Sequence, residues 1–297
     1  MKHPKRKPPF VGAATALATP FCNGEVDFDA LGYMIEYQIE KHIDALVLCG
    51  TTAETPTLTA GEYEAVVRFG IEKIGRRVPC IVGCGSSDTA ASTERAKFAQ
   101  KSGADALLVV TPYYNRGTRA GMIRHYATIA EAAGLPTILY HVPARTGVRL
   151  NAAAIAAIAE HPLIAGVKEA SGDMELFADL ACAIGDTVAL YTGNDGLILP
   201  SLSLGGLGTI SVISNLLPYE TGEICRAFFA GNCEKAAVLH LRLLPLMRLL
   251  FAEVNPAPLK YAMELQGQCR GELRLPLATV EDDLREALRR EIERLRN

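Results

Sequence analysis

Lys168 closes a short apolar run, Ile164-Ala165-Gly166-Val167-Lys168, and that position makes it the first candidate for covalent chemistry. Burial disfavours the charged form of a lysine, and the free amine attacks a ketone to form an imine. The plainer reading is a lysine that reaches solvent or pairs with Glu169. Tyr140 ends a second such run, from Pro136, and a phenol beside a lysine can shuttle the protons that carbinolamine formation and dehydration require. It could equally be a core aromatic with its hydroxyl satisfied. Thr51 and Thr52 follow the run Ala45 to Cys49, where their hydroxyls and backbone N–H groups form a natural seat for a carboxylate; a simple hydroxyl-stabilised turn is the alternative. Arg145 sits in a loop bounded by Pro143 and Gly147, where its planar fork could hold a second carboxylate.

Metal chemistry has no foothold, because the six histidines show neither HxH nor HExxH spacing. No cofactor is expected, and a metal-dependent aldolase is disfavoured. Gly205-Gly206-Leu207-Gly208 is a weak phosphate signal that tight packing would explain as well. The eight cysteines form no CxxC pair, and several lie inside apolar runs, so they are read as reduced thiols of a cytoplasmic protein.

Elements that could position these residues alternate along the chain. Strands are expected near Val11 to Ala18, Ala45 to Cys49, Pro79 to Cys84, Ala106 to Thr111, Pro136 to Tyr140, Ile164 to Lys168, Val188 to Thr192 and Gly208 to Ser211. Helices fall between them, from 27, 59, 88, 118, 151, 173 and 195. Thr59 with Glu62 has the form of a capping box, and Asp27, Asp88, Thr118, Asn151 and Asp173 supply cap oxygens. Gly103 and Gly134 close two helices. Strands joined by helices of this length must run parallel, and eight units can close into a TIM-type (β/α)8 barrel of the α/β class, with the active site at the C-terminal strand ends. A doubly wound open sheet competes, but no GxGxxG turn follows the first strand.

Beyond residue 215 the strand signal stops, and helices are expected near Tyr219 to Ala230, Cys233 to Leu250, Pro258 to Leu265 and Val280 to Leu295. The predicted organisation is a basic, frayed tail over 1–9, a barrel over 10–215 and a helical C-terminal region over 216–297 packed on it. At 49% hydrophobic and 21% charged residues the 297-residue chain can bury a sizeable core. A net charge of −3 gives no field to recruit nucleic acid or an anionic membrane, and no apolar stretch reaches the roughly 18 residues that span a bilayer. Small molecules are the expected partners.

Six segments carry a resemblance: GTTAET from Gly50, TPYYNR from Thr111, LYHVPARTG from Leu139, GVKEASG from Gly166, GNDG from Gly193 and NPAPLK from Asn255. In this order they closely resemble the dihydrodipicolinate synthase and N-acetylneuraminate lyase family, from Phe10 onward. The resemblance implies a condensation of pyruvate with L-aspartate 4-semialdehyde on the way to diaminopimelate and lysine. By it Lys168 forms the imine, and Thr51, Tyr114 and Tyr140 are the proton relay, with Tyr114 supplied by a neighbouring subunit of a dimer-of-dimers homotetramer. Thr52 matches a contact to the pyruvate carboxylate, Arg145 the residue holding the semialdehyde carboxylate, and Gly193 and Ile210 the lining of the pyruvate pocket.

Two departures stand out. Ala53 replaces the glycine of GTTGE, and His141 replaces the asparagine of YNVP, either of which could reshape the pocket. A sister lyase acting on a sugar acid would use the same lysine, but Arg145 argues against it. A barrel that only senses a keto acid would have no need of a proton relay. The residues matching the lysine-feedback cleft of inhibited members are Tyr63, Ser87 and Ala91, with Tyr113 retained, so the carboxylate that would meet a lysine ammonium is missing.

Overall fold

The computed structural model describes residues 4–296, and its main sheet is a closed, parallel, eight-stranded barrel. The strands are β1 (Gly12–Ala16), β2 (Ala45–Leu48), β3 (Cys80–Gly83), β4 (Ala106–Val110), β5 (Thr137–His141), β6 (Ile164–Glu169), β7 (Ala189–Thr192) and β8 (Gly208–Ser211). They follow one another around the barrel in chain order, and β8 neighbours β1. All eight lie where the apolar runs place them. Every β1 and β2 residue is buried, as expected of strands covered on both faces.

The expected caps start the helices. Asp27 caps α1 (Phe28–Glu40), Asp88 caps α3 (Thr89–Ser102) and Thr118 caps α4 (Arg119–Ala133). Asn151 caps α6 (Ala152–Ala159) and Asp173 caps α7 (Met174–Ile184). Thr59 and Glu62 form the reciprocal capping box of α2 (Ala60–Ile74). Gly103 and Gly134 take the left-handed conformation that ends α3 and α4. Local features with no periodic signal include a two-stranded hairpin (Phe21–Cys22 with Glu25–Val26) and the one-turn helix α5 (Pro143–Thr146), while the helix expected from Asp195 opens as a 3-10 turn before α8 (Ile198–Ser203).

Contacts divide the chain into two compact units. One holds Pro79–Ile210 with the segment up to Gly12, and within it α4 packs on α3 and α6, and α6 on α7. The tail expected to fray is anchored here from Lys5 on, while residues 1–3 of that expectation lie outside the described residues. Lys5 and Arg6 donate backbone N–H groups to Asp186 and Thr187, and the Arg6 guanidinium donates to the carbonyls of Ala159, His161 and Ile164 at 2.6, 2.9 and 2.7 Å. The reason is local: the end of α6, the turn after it and the start of β6 present three backbone carbonyls together, and the arginine fork satisfies them. Gly208 marks a close backbone approach, since a Cβ there would fall 1.8 Å from the Gly12 carbonyl oxygen.

The other unit holds Ala13–Val78 and the segment from Ser211 on, including α9 (Pro218–Phe229), α10 (Cys233–Leu249), α11 (Ala257–Leu265) and α12 (Asp282–Arg296). The boundary expected at residue 215 therefore does not separate the C-terminal helices from β1 and β2. Polar ties explain the grouping: Thr15 donates to Gln38, Gln38 donates to the Ser214 carbonyl at 2.8 Å, and Asn215 donates to that of Ala16 at 3.0 Å. Among the described residues no helix is long and apolar enough to cross a membrane.

Candidate active site

Lys168 and Tyr140 occupy adjacent strands at the same level, and an irregularity puts them there. Thr137 pairs with Ile164, but Ile138 pairs with Gly166, so Ala165 is an extra residue in β6. Continued without the bulge, the register would set Val167 opposite Tyr140. With it Lys168 takes that place, and its Nζ lies 4.2 Å from the centroid of the Tyr140 ring. Both residues are 6% exposed. Among the described residues Lys168 Nζ has neither a hydrogen-bond nor an ion-pair partner, and Glu169, the expected alternative partner, is engaged elsewhere.

Gly193 completes this group at the end of β7. A Cβ there would lie 2.6 Å from Lys168 Cε and 2.7 Å from Ala170 Cβ, so only glycine leaves the lysine stem its room. Ile210 is fully buried in β8, one residue past the pair Thr209 and Thr192.

The next residue on each strand points the other way. His141 Nδ1 lies 2.6 Å from Glu169 Oε2, with both side chains almost wholly buried. His141 also lines a cleft of about 610 Å³ with Arg149, Leu150, Ser171 and residues of α6 and α7. Helices cover the outside of a parallel barrel, so His141 and Glu169 face outward and Lys168 and Tyr140 inward. Strand alternation thus turns the His141 ring away from Lys168, so an influence of His141 on the substrate pocket would be indirect.

Two expected residues are exposed, where the lysine is buried. Tyr114 is 93% exposed and has φ +69, a left-handed conformation that costs a bulky residue energy. Arg145 is exposed on α5, whose turn is braced by Thr146, with Oγ1 donating to the Val142 carbonyl at 3.2 Å.

Thr51 and Thr52 belong to the unit of β1 and β2, in a 3-10 turn (Thr51–Ala53) that follows β2. The turn ends at Glu54, which has φ +53. Ala53 has no positive φ, so an alanine in place of glycine adds no strain. Thr52 is 2% exposed, and its hydroxyl accepts from Asn255 Nδ2 at 3.0 Å, which leaves its proton free to donate. The Thr51 hydroxyl has no partner among the described residues.

Glu54 and Lys260 form an ion pair at 2.5 Å with both side chains at 0% exposure. Lys260 Nζ also donates to the Glu272 carbonyl at 2.8 Å and sits 4.0 Å from the Phe21 ring centroid, while the second Glu54 oxygen accepts from Arg274 N at 3.0 Å. Burial lowers the pKa of the Lys260 ammonium, against the opposing charge of Glu54. Residue reasoning gave no role to Asn255, Glu54 or Lys260, although GTTAET and NPAPLK contain them; their signal was two polar segments with no partner assigned.

The Dihydrodipicolinate synthetase family matches residues 9–295 of the chain. The chain is similar to the 4-hydroxy-tetrahydrodipicolinate synthase of Thermoanaerobacter sp. (strain X514), 43% identical over 276 residues that cover 93% of both chains. It is 43% identical over 271 residues to that of Geobacter metallireducens (strain ATCC 53774 / DSM 7210 / GS-15), covering 91% of this chain and 93% of the relative. Among solved structures, the 4-hydroxy-tetrahydrodipicolinate synthase from Methylacidiphilum fumariolicum SolV superposes with a TM-score of 0.94 at 38% identity, over 96% of each chain.

Proposed function

The chain belongs to the dihydrodipicolinate synthetase family, and from that premise we propose how its residues carry out the synthase reaction of its relatives, the condensation of pyruvate with L-aspartate 4-semialdehyde. The observation that carries the reading is Lys168 itself: inward-facing, almost buried, without a counter-ion among the described residues, and set against a phenol. Its amine attacks the pyruvate ketone, and loss of water gives the imine. Loss of a methyl proton gives the enamine, whose carbon attacks the aldehyde of the second substrate. The amine of that substrate then closes the ring on the imine carbon and releases Lys168.

Tyr140, Thr51 and Tyr114 move the protons of these steps. Thr52 donates to the pyruvate carboxylate, Arg145 holds the acceptor carboxylate, and Gly193 and Ile210 shape the pyruvate pocket. Tyr114 acts on the site of a neighbouring subunit, and the assembly is a homotetramer built as a dimer of dimers. A strained aromatic that is 93% exposed supports that assignment, since strained backbone conformations cluster at functional sites. Eight free cysteines, four of them buried, suit a reduced cytoplasmic protein.

The test is product formation from pyruvate and L-aspartate 4-semialdehyde by the purified protein, with N-acetylneuraminate and a 2-keto-3-deoxy-sugar acid as controls. Turnover of a sugar acid in place of the semialdehyde would overturn the reading. Sedimentation that finds a fully active monomer would remove Tyr114 from the relay.

A further inference from the structure

We propose that His141 is a positioning residue for the second substrate: as a neutral ring clamped between Glu169 and Leu150, it fixes the loop that carries Arg145. His141 ends β5, and the loop from Val142 to Leu150 begins immediately after it. Its Nε2 accepts the backbone N–H of Leu150, nine residues on, at 3.1 Å. A backbone amide only donates, so Nε2 carries a lone pair and the ring proton sits on Nδ1, directed at Glu169 Oε2 at 2.6 Å. Both ends of the Arg145 loop thus hang from one side chain.

The other end of the clamp reaches the nucleophile. Glu169 follows Lys168 directly, and its second oxygen accepts the backbone N–H of Ser171 at 2.5 Å, shaping the turn after β6. One buried histidine and one buried carboxylate therefore set the exit of both strands that carry Tyr140 and Lys168. They do so from the outward face, opposite to the one that Lys168 and Tyr140 take on the same strands. Outer partners of this kind orient reactive groups, and small displacements of an orienting group are costly.

The chemistry of the residue makes the claim specific. An asparagine attaches its amide atoms to Cγ, where Nδ1 stands, so it can meet Glu169 but not Leu150. A glutamine places its amide where Nε2 stands, so it can accept from Leu150 but not donate to Glu169 as the ring does. The two halves of the clamp can therefore be cut separately.

The inference rests on the reading that Arg145 holds the acceptor carboxylate. Its test uses the full-length variants His141→Asn and His141→Gln, alone and with Arg145→Ala, with folding checked by thermal melts. His141→Asn is expected to raise the KM for L-aspartate 4-semialdehyde about ten-fold, in line with a lost buried hydrogen bond. The KM for pyruvate and the borohydride-trapped fraction should stay unchanged in His141→Asn, which keeps the contact to Glu169, and His141→Gln, which keeps the contact to Leu150, should leave the acceptor KM close to that of the parent. On the Arg145→Ala background His141→Asn should have no further effect on the acceptor KM. Equal damage to both half-reactions, or an undiminished effect without Arg145, would overturn the inference. Hydrogen exchange at the Leu150 amide reads the clamp without substrate: protection lost in His141→Asn and kept in His141→Gln is expected, and equal protection in both overturns it. A parent enzyme that traps pyruvate but does not use the semialdehyde would instead overturn the functional reading.

Discussion

Lys168 stands level with Tyr140 because β6 contains one residue more than its pairing with β5 requires. Ala165 absorbs the shift between the pairs Thr137 with Ile164 and Ile138 with Gly166. The nucleophile and the phenol are thus brought into contact by a backbone irregularity, which is where bulges tend to occur in functional sheets.

Gly193→Ala should separate chemistry from folding. The added methyl would meet Lys168 Cε at 2.6 Å, which can swing away, and Ala170 Cβ at 2.7 Å, which is fixed to its backbone. The protein should therefore lose about 1–3 kcal/mol of stability, the usual cost of overpacking. Imine formation should fall roughly 100-fold or more, as expected when a reacting group is displaced by about 1 Å. Stopped-flow imine formation alongside urea unfolding measures both, and an unimpaired rate would show that the lysine has room to spare.

The Glu54 and Lys260 pair should behave as a unit. Removing one partner leaves the other charge buried, which costs roughly 3–5 kcal/mol. Lys260→Met combined with Glu54→Leu should be less destabilising than the sum of the two single changes, because no unpaired charge remains. Denaturant unfolding of the four proteins gives the coupling, and strict additivity would mean that the two charges do not depend on each other.

His125 should make the fold sensitive to acid. The ring is 5% exposed, its Nδ1 lies 2.9 Å from Thr89 Oγ1, and burial lowers its pKa to about 4, opposed by the charge of Asp88. The folded value lies below the unfolded one of about 6.5, so the unfolded chain binds the proton first. Stability is full above about pH 6.5, falls on the order of 2–3 kcal/mol as pH drops toward about 4, and is then level with respect to this group. His125→Gln should flatten that part of the profile. Unfolding at about pH 7 and about pH 4.5 is the comparison, and an unchanged slope in the variant would assign the sensitivity to other groups.

Feedback by L-lysine should be weak or absent. Ala91 offers no carboxylate, and the side chain of the preceding acid, Asp88, is spent on the N–H groups of Ala90 and Ala91 as the cap of α3. An ammonium taken from water without a carboxylate partner keeps its desolvation cost. Initial velocities against added lysine decide it: half-inhibition well below about 1 mM, or roughly −4 kcal/mol of binding, would mean that other residues supply the site.

The strands and helices were legible because apolar runs of strand length alternate with capped helical segments, and both signals are local. Asp27, Thr59, Asp88, Thr118, Asn151 and Asp173 all cap as their side-chain chemistry dictates. Lys168 and Tyr140 were legible as strand ends, but the bulge at Ala165 was not, since an alanine among apolar neighbours carries no register signal. The anchoring of Arg6 was missed because its partners are backbone carbonyls about 155 residues away. The partners of His141 were not legible, because the Leu150 amide and Glu169 reach its ring only once the strands are paired.

The central claim is that Lys168 is the amine that condenses with pyruvate. Borohydride reduction of the protein with pyruvate, followed by peptide mass spectrometry, tests it most directly. The expected result is a reduced pyruvate adduct on the peptide containing Lys168, absent in Lys168→Ala, whose melting behaviour stays that of a folded protein. An adduct on Lys260 or any other lysine, or one that survives Lys168→Ala, would contradict the account.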